Sequence, residues 1–146
     1  MRKTVLVFGT FDLLHPGHLA FLAAASKHGE VTAVITPDAK VKNEKGGTPH
    51  FNARNRMQMV AALKPVSKAV IGDKGRKWTA IERLAPDIIC VGHDQNADHP
   101  KFLAQLASLK KKPKIVILRA YQPRRYSSSK VKLEIHRQHS LQNPSK

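Results

Sequence analysis

The chain reads as an α/β protein, a doubly wound five-stranded parallel sheet with helices on both faces, on three observations. Five short apolar segments recur along the 146 residues, unbroken runs of the kind that form strands covered on both faces. Between them lie segments bounded by Pro or Gly whose apolar residues fall at helical spacing. The alternation of the two requires crossover connections, and crossovers make a parallel sheet.

The elements follow in order. Thr4–Phe8 (TVLVF) is the first strand, and Pro16 to His28 the first helix, with proline in its opening turn and Gly29 at its end. Val31–Ile35 is the second strand. Residues 37–50, polar and punctuated by Pro37, Gly46, Gly47 and Pro49, are expected as an open loop. Phe51 to Leu63 is a helix with Met57, Val60 and Leu63 three residues apart, and Ala69–Ile71 a short third strand. Trp78–Leu84 marks a helix, Asp87–Val91 (DIICV) the fourth strand, Pro100 to Lys110 a helix and Ile115–Leu118 the fifth strand. A last helix starts near Ser128. The expected division is one domain over 1–136 and a polar tail over 137–146, frayed after Gln138.

Composition narrows the function classes. Hydrophobic residues at 41% and charged residues at 25% suit a packed globular chain rather than a disordered one. The longest apolar stretches, such as Leu19 to Ala25, are too short to span a bilayer, and Met1-Arg2-Lys3-Thr4 leads straight into a strand without a signal-peptide core. Cys90, the single cysteine, leaves no disulfide framework. The expectation is a cytoplasmic protein with no membrane partner. The net charge of +16 is uneven: residues 1–100 carry 14 basic and 9 acidic side chains, residues 101–146 carry 12 basic and one acidic, Glu134. That field favours anionic partners, phosphorylated small molecules or nucleic acid. A basic nucleic-acid-binding module ranks below a small-molecule enzyme, because the basic third offers only Phe102, Tyr121 and Tyr126 for stacking bases. Lys111, Lys112 and Lys114 are expected as a solvated face.

In a sheet of this kind ligands bind beyond the carboxyl ends of the strands, at the point where strand order reverses. The loop after the first strand reads GTFDLLHPGH, residues 9–18. Gly9 lets backbone approach a phosphate. His15 and His18, three residues apart across a helix start, face the same way, and Gly17 leaves space between them. The helix N-terminus adds N–H groups and positive potential. Two imidazoles aimed at one point can stabilise charge developing on a phosphoryl group without a covalent intermediate. Read as a metal pair instead, they would need a third ligand, for which only Asp12 offers itself.

This string resembles the signature of the cytidylyltransferase-like nucleotidyltransferases, whose paired histidines hold the nucleotide phosphates in the transition state. The resemblance, a Rossmann-like one in fold, continues along nearly the whole chain. Lys42 to Gly46 (KNEKG) falls where that family carries a phosphate-binding lysine, for which Lys45 is the candidate, and Arg56 in FNARNRMQMVAAL matches the family's helix arginine. Tyr126-Ser127-Ser128-Ser129-Lys130 is similar to its second signature, a hydroxyl run that caps the last helix. Pro86-Asp87-Ile88-Ile89 followed by Val91-Gly92-His93-Asp94-Gln95 resembles the archaeal-type FAD synthases.

The resemblance implies transfer of a nucleoside monophosphate from a nucleoside triphosphate to a phosphorylated acceptor with release of pyrophosphate. ATP with FMN, giving FAD, comes first. CTP with glycerol 3-phosphate or a similar polyol phosphate is the alternative. It implies catalytic roles for His15, His18, Lys45 and Arg56. Nucleotide contacts would come from Gly9, Thr10, Phe11, Asp12, Gly17, Gly92, Asp94, Gln95, Tyr126, Ser127, Ser128 and Ser129. Mg2+ or another divalent cation would accompany the triphosphate, with its protein ligands, if any, unassigned. A homodimer is among the assemblies open to such a chain.

Overall fold

The structure, a computed structural model, describes residues 2–73, 77–92, 95, 99–119 and 128–142, without the side chains of residues 44, 45, 77, 128 and 129. Five strands, β1 (Thr4–Gly9), β2 (Glu30–Ile35), β3 (Val66–Ile71), β4 (Ile88–Gly92) and β5 (Lys114–Leu118), form one parallel sheet in the order β3-β2-β1-β4-β5. The helices are α1 (Pro16–Ser26), α2 (Asp38–Lys45), α3 (Ala53–Ala61), α4 (Lys77–Leu84), α5 (Pro100–Ser108) and α6 (Ser128–Gln142).

The order explains the sequence pattern. The chain winds outward from β1 to β3, returns to β4 on the other side of β1, and winds outward again to β5. With crossovers of one hand, the two halves lay their helices on opposite faces. Val5 and Val7 accordingly pack on one face with Leu22 and Ala25 of α1 and Val60 of α3, while Leu6 and Phe8 pack on the other with Ala80 and Ile81 of α4. Ile88 and Cys90 alternate with Ile89 and Val91 in the same way. Successive strand side chains point to opposite faces, so a strand with two buried faces reads as unbroken apolar. Burial raises the Cys90 thiol to a pKa of about 11, which makes it a small apolar packing group. The Trp78 ring meets that of Phe102 at a tilt of 40°, centroids 5.5 Å apart, joining α4 to α5.

Three departures from expectation exceed two residues. Residues 38–45, expected inside an open loop, form α2: Pro37 supplies a fixed φ and accepts from Lys40 and Val41, Asp38 sits in the first turn, and Gly46 ends the helix at φ 71°. Val41, 3% exposed, is the apolar contact that holds this otherwise polar helix to the body. β3 begins at Val66 rather than Ala69, with a register shift opposite Val31 and Thr32. α6 runs on to Gln142, past Gln138.

At the amino ends of the strands, Asp87 accepts from the Thr4 amide and hydroxyl and pairs with Lys111 at 2.8 Å. The Lys111 ammonium, then Thr4, hold the Asp87 carboxyl down at about 2. Lys111 therefore ties the end of β5 to β4 instead of merely facing solvent. No helix among the described residues is long and apolar enough to cross a membrane.

Candidate active site

Strand order reverses between β1 and β4, so the loops leaving their carboxyl ends flank the crevice of the sheet. Residues 9–18 leave β1 there, and Gly92 ends β4 beside them. Gln95 closes the two together: its Oε1 accepts from the Gly92 amide at 2.9 Å and its Nε2 donates to the Phe8 carbonyl at 2.9 Å. A donor on one side and an acceptor on the other set the orientation of this amide. Gln95, expected as a nucleotide contact, thus braces the switch point.

His15 is the N-cap of α1. Its Nδ1 accepts from the Gly17 amide at 3.1 Å, and its own amide donates to Nδ1 of His18 at 3.3 Å. Both rings use Nδ1 as an acceptor, which puts the proton of each neutral imidazole on Nε2. The rings stack with centroids 3.8 Å apart and planes 26° from parallel. Burial lowers the His15 pKa, favouring the neutral form that this cap requires. The pair thus presents two N–H donors of fixed tautomer at the positive end of α1, an arrangement that can stabilise negative charge on a phosphoryl group.

The loop that delivers them is strained and packed. Phe11 and Leu13 have φ of 52° and 47°, left-handed values that cost about 1–3 kcal/mol each in non-glycine residues. Phe11, 5% exposed, sets its ring edge-on to His18 with centroids 5.5 Å apart. A Cβ on Gly9 would lie 2.6–3.0 Å from that ring. Gly9 was expected to admit a phosphate; in this structure its bare Cα admits Phe11, which supports His18.

Arg56, on the helix face opposite the exposed side of α3, is wholly buried. Its Nε donates to the Phe51 carbonyl at 2.9 Å, Nη1 to the Thr10 carbonyl at 2.7 Å, and Nη2 to the Thr36 carbonyl at 2.9 Å and Asp38 Oδ1 at 2.7 Å. One guanidinium joins the loops after β1 and β2 to the start of α2 and of α3. Here it contacts protein carbonyls and a carboxylate, and through Thr10 it holds the signature loop.

Asp12 is 3% exposed, and its carboxylate accepts from the amides of His50 at 2.7 Å and Phe51 at 3.1 Å and from Lys132 Nζ at 2.8 Å. Burial pushes this carboxyl up, but the Lys132 ammonium and the two amides outweigh it and hold the group below its ordinary value. With those oxygens engaged, Asp12 is a tether between the signature loop, the entry to α3 and α6. Lys132 was not among the expected site residues. Its partner lies 120 positions away, so no local spacing announces it.

A shallow cleft, open to solvent, lies at the carboxyl ends of β1–β3 and is lined in part by Phe8, Thr36, Lys40 and Asp73. The hydrogen bonds and ring contacts described above, rather than this cleft, bring together Gly9, Thr10, Phe11, Asp12, His15, Gly17, His18, Arg56, Gly92 and Gln95. Lys45 closes α2, its side chain outside the described residues. Ser128 and Ser129 open α6, their side chains likewise outside. Asp94, Tyr126 and Ser127 lie outside the described residues altogether.

Comparison with known proteins agrees with this fold. The sequence model described as cytidylyltransferase-like matches residues 6–134. A FAD synthase of Archaeoglobus profundus is 38% identical over 125 residues, 86% of this chain and 80% of that protein. A FAD synthase of Ferroglobus placidus is 39% identical over 119 residues, 81% of this chain and 77% of its own. That of Methanosphaerula palustris is 38% identical over 131 residues, 89% and 84% of the two chains. Among solved structures, a lipopolysaccharide core biosynthesis protein of Thermoplasma volcanium superposes with a TM-score of 0.78 at 31% identity, over 84% of this chain and all of that one. Pantoate-beta-alanine ligase of Francisella tularensis shares the fold, with a TM-score of 0.60 at 13% identity over 91% of this chain and 69% of its own. With the family's sequence model matching residues 6–134 and relatives at 38–39% identity over more than four-fifths of the chain, the protein belongs to the cytidylyltransferase-like family.

Proposed function

We propose that this protein is an FMN adenylyltransferase, joining the adenylyl group of ATP to FMN to give FAD and pyrophosphate. The observation that carries the reading is 38–39% identity to three FAD synthases over more than four-fifths of the chain. Those relatives favour ATP and FMN over CTP and a polyol phosphate, and a small-molecule transferase over a nucleic-acid-binding module.

The chemistry is an in-line displacement. A phosphate oxygen of FMN forms a bond to the α-phosphorus of ATP while the bond from that phosphorus to the α,β-bridging oxygen breaks, and pyrophosphate leaves with the electron pair. Little acid–base chemistry is needed, so catalysis rests on positioning and charge stabilisation. His15 and His18 would donate from Nε2 to phosphate oxygens that gain charge, at the positive end of α1. Lys45 and the hydroxyls of Ser127, Ser128 and Ser129 would complete the phosphate clamp, with Tyr126 flanking it. Gly92 and Asp94 would face the nucleoside. Arg56, Asp12 and Gln95 would serve by holding the loops in place.

A divalent cation, Mg2+ first, would arrive with the triphosphate and neutralise part of its charge. Among the described residues no group of three or more His, Cys, Asp or Glu side chains could hold a metal by itself. Asp12 already accepts from Lys132 and two amides. That donor set fits an ion held largely by substrate phosphates, as Mg2+ commonly is. The test is pyrophosphate release with ATP or CTP crossed with FMN, glycerol 3-phosphate and other polyol phosphates. ATP with FMN should turn over fastest. Activity confined to CTP pairs would replace the substrates and keep the reaction class.

A further inference from the structure

We infer that Lys132 is a positioning residue for nucleotidyl transfer: through its ion pair with Asp12 it docks the first turns of α6 onto the loop that carries His15 and His18.

The geometry behind this has three parts. Asp12 lies three residues before His15, in the strained segment between Phe11 and Leu13. Its carboxylate is 4% exposed and joins three segments distant in sequence: its own loop, the amides of His50 and Phe51 ahead of α3, and Lys132 of α6. Lys132 stands one turn into α6, four residues after the first residue of that helix. A bond at Lys132 therefore sets how the opening turn of α6 meets the signature loop.

Leu133, Ile135 and Leu141 are 67%, 57% and 73% exposed, so α6 gains little from burial, and the Glu134–Arg137 pair lies within the helix itself. The electrostatics point the same way. A carboxylate next to a triphosphate site repels the substrate, and the Lys132 ammonium at 2.8 Å cancels that charge at its source. One side chain thus orients α6 and removes a repulsion from the histidine loop.

The inference rests on the transferase reading, and the experiment separates the two. Five proteins are compared: wild type, Lys132→Met, Lys132→Arg, Asp12→Asn and the Lys132→Met/Asp12→Asn double variant. Lys132 is 44% exposed at the side chain, so its replacement leaves the core intact. Amide exchange over 128–142 should speed up in Lys132→Met and return toward wild type in Lys132→Arg. With ATP and FMN, kcat/KM for ATP should fall roughly ten- to a hundredfold in Lys132→Met, as for a misplacement near 1 Å. Arginine should restore most of it, and the double variant should lose less than the product of the two single losses, since the Lys132 bond is common to both while Asp12 also accepts from His50 and Phe51. Unchanged exchange in Lys132→Met overturns the docking role. Faster exchange with undiminished kcat/KM overturns the positioning role, and so does a double variant whose loss is the product of two independent losses. If wild type itself makes no FAD, the transferase reading falls while the exchange result still decides whether Lys132 docks α6.

Discussion

Replacing Arg56 by lysine keeps the charge and discards the fork. The guanidinium donates to three carbonyls, Phe51, Thr10 and Thr36, at 2.7–2.9 Å and to Asp38 at 2.7 Å. A compact ammonium on a single stem cannot meet acceptors arranged around a planar head. The Asp38 pair adds little, because that carboxylate is 47% exposed and screened by water. The carbonyls decide the outcome. A buried acceptor left without its donor costs about 1–3 kcal/mol, and with lysine satisfying one and water reaching part of the rest, the loss is about 2–4 kcal/mol. For a chain of this size each kcal/mol moves Tm by roughly 3 °C, so Arg56→Lys should melt about 6–12 °C below wild type. The assay is thermal unfolding by circular dichroism, paired with turnover measured well below both transitions. A variant that melts with wild type but loses turnover would refute the strut, and would put the guanidinium on the substrate.

The other predictions concern the signature loop. His18→Ala should leave the fold in place and lower turnover roughly a hundredfold or more, as for loss of one donor to developing charge. Near-normal turnover in that folded variant would remove His18 from the chemistry. His15→Ala should lose as much activity and also about 1 kcal/mol of stability, because it deletes the cap of α1; urea unfolding measures the second part. Gly9→Ala forces the Phe11 ring to move, since its new methyl would sit 2.6–3.0 Å away, and should cost about 1–3 kcal/mol together with activity. An alanine variant as stable as wild type would show that the ring has room. The His15 pKa is lower folded than unfolded, so its contribution is present above about pH 6.5 and lost as pH falls through the folded value. Wild type should therefore lose more stability than His15→Gln between pH 7.5 and 5.5. Equal losses in the two would exclude His15 as the source.

Strand and helix order were legible because their signals are local. TVLVF and DIICV announce doubly covered strands, and the sheet order β3-β2-β1-β4-β5 follows the expectation that helices lie on both faces. In GTFDLLHPGH the pairing of the two histidines was legible for the same reason: three residues apart at a helix start, they fix their own relation. The structure then supplied the tautomers, through bonds that are also local, His15 to Gly17 and His18 to His15. The helix at 38–45 escaped because its composition is polar, and what secures it is Val41 meeting the core beyond the window of any local pattern. The burial of Arg56 escaped because its acceptors come from residues 10, 36 and 51, which converge only after the sheet has formed. Gly9 was read as room for a phosphate, whereas the ring of Phe11, turned inward by a left-handed φ, occupies that room. Asp12 and Lys132 are the limiting case, 120 positions apart and 2.8 Å in space. Periodicity and motif spacing are properties of neighbouring residues, so they survive in the linear sequence; which loops meet at the carboxyl ends of β1 and β4 depends on the closure of the whole sheet, and tertiary packing alone determines it.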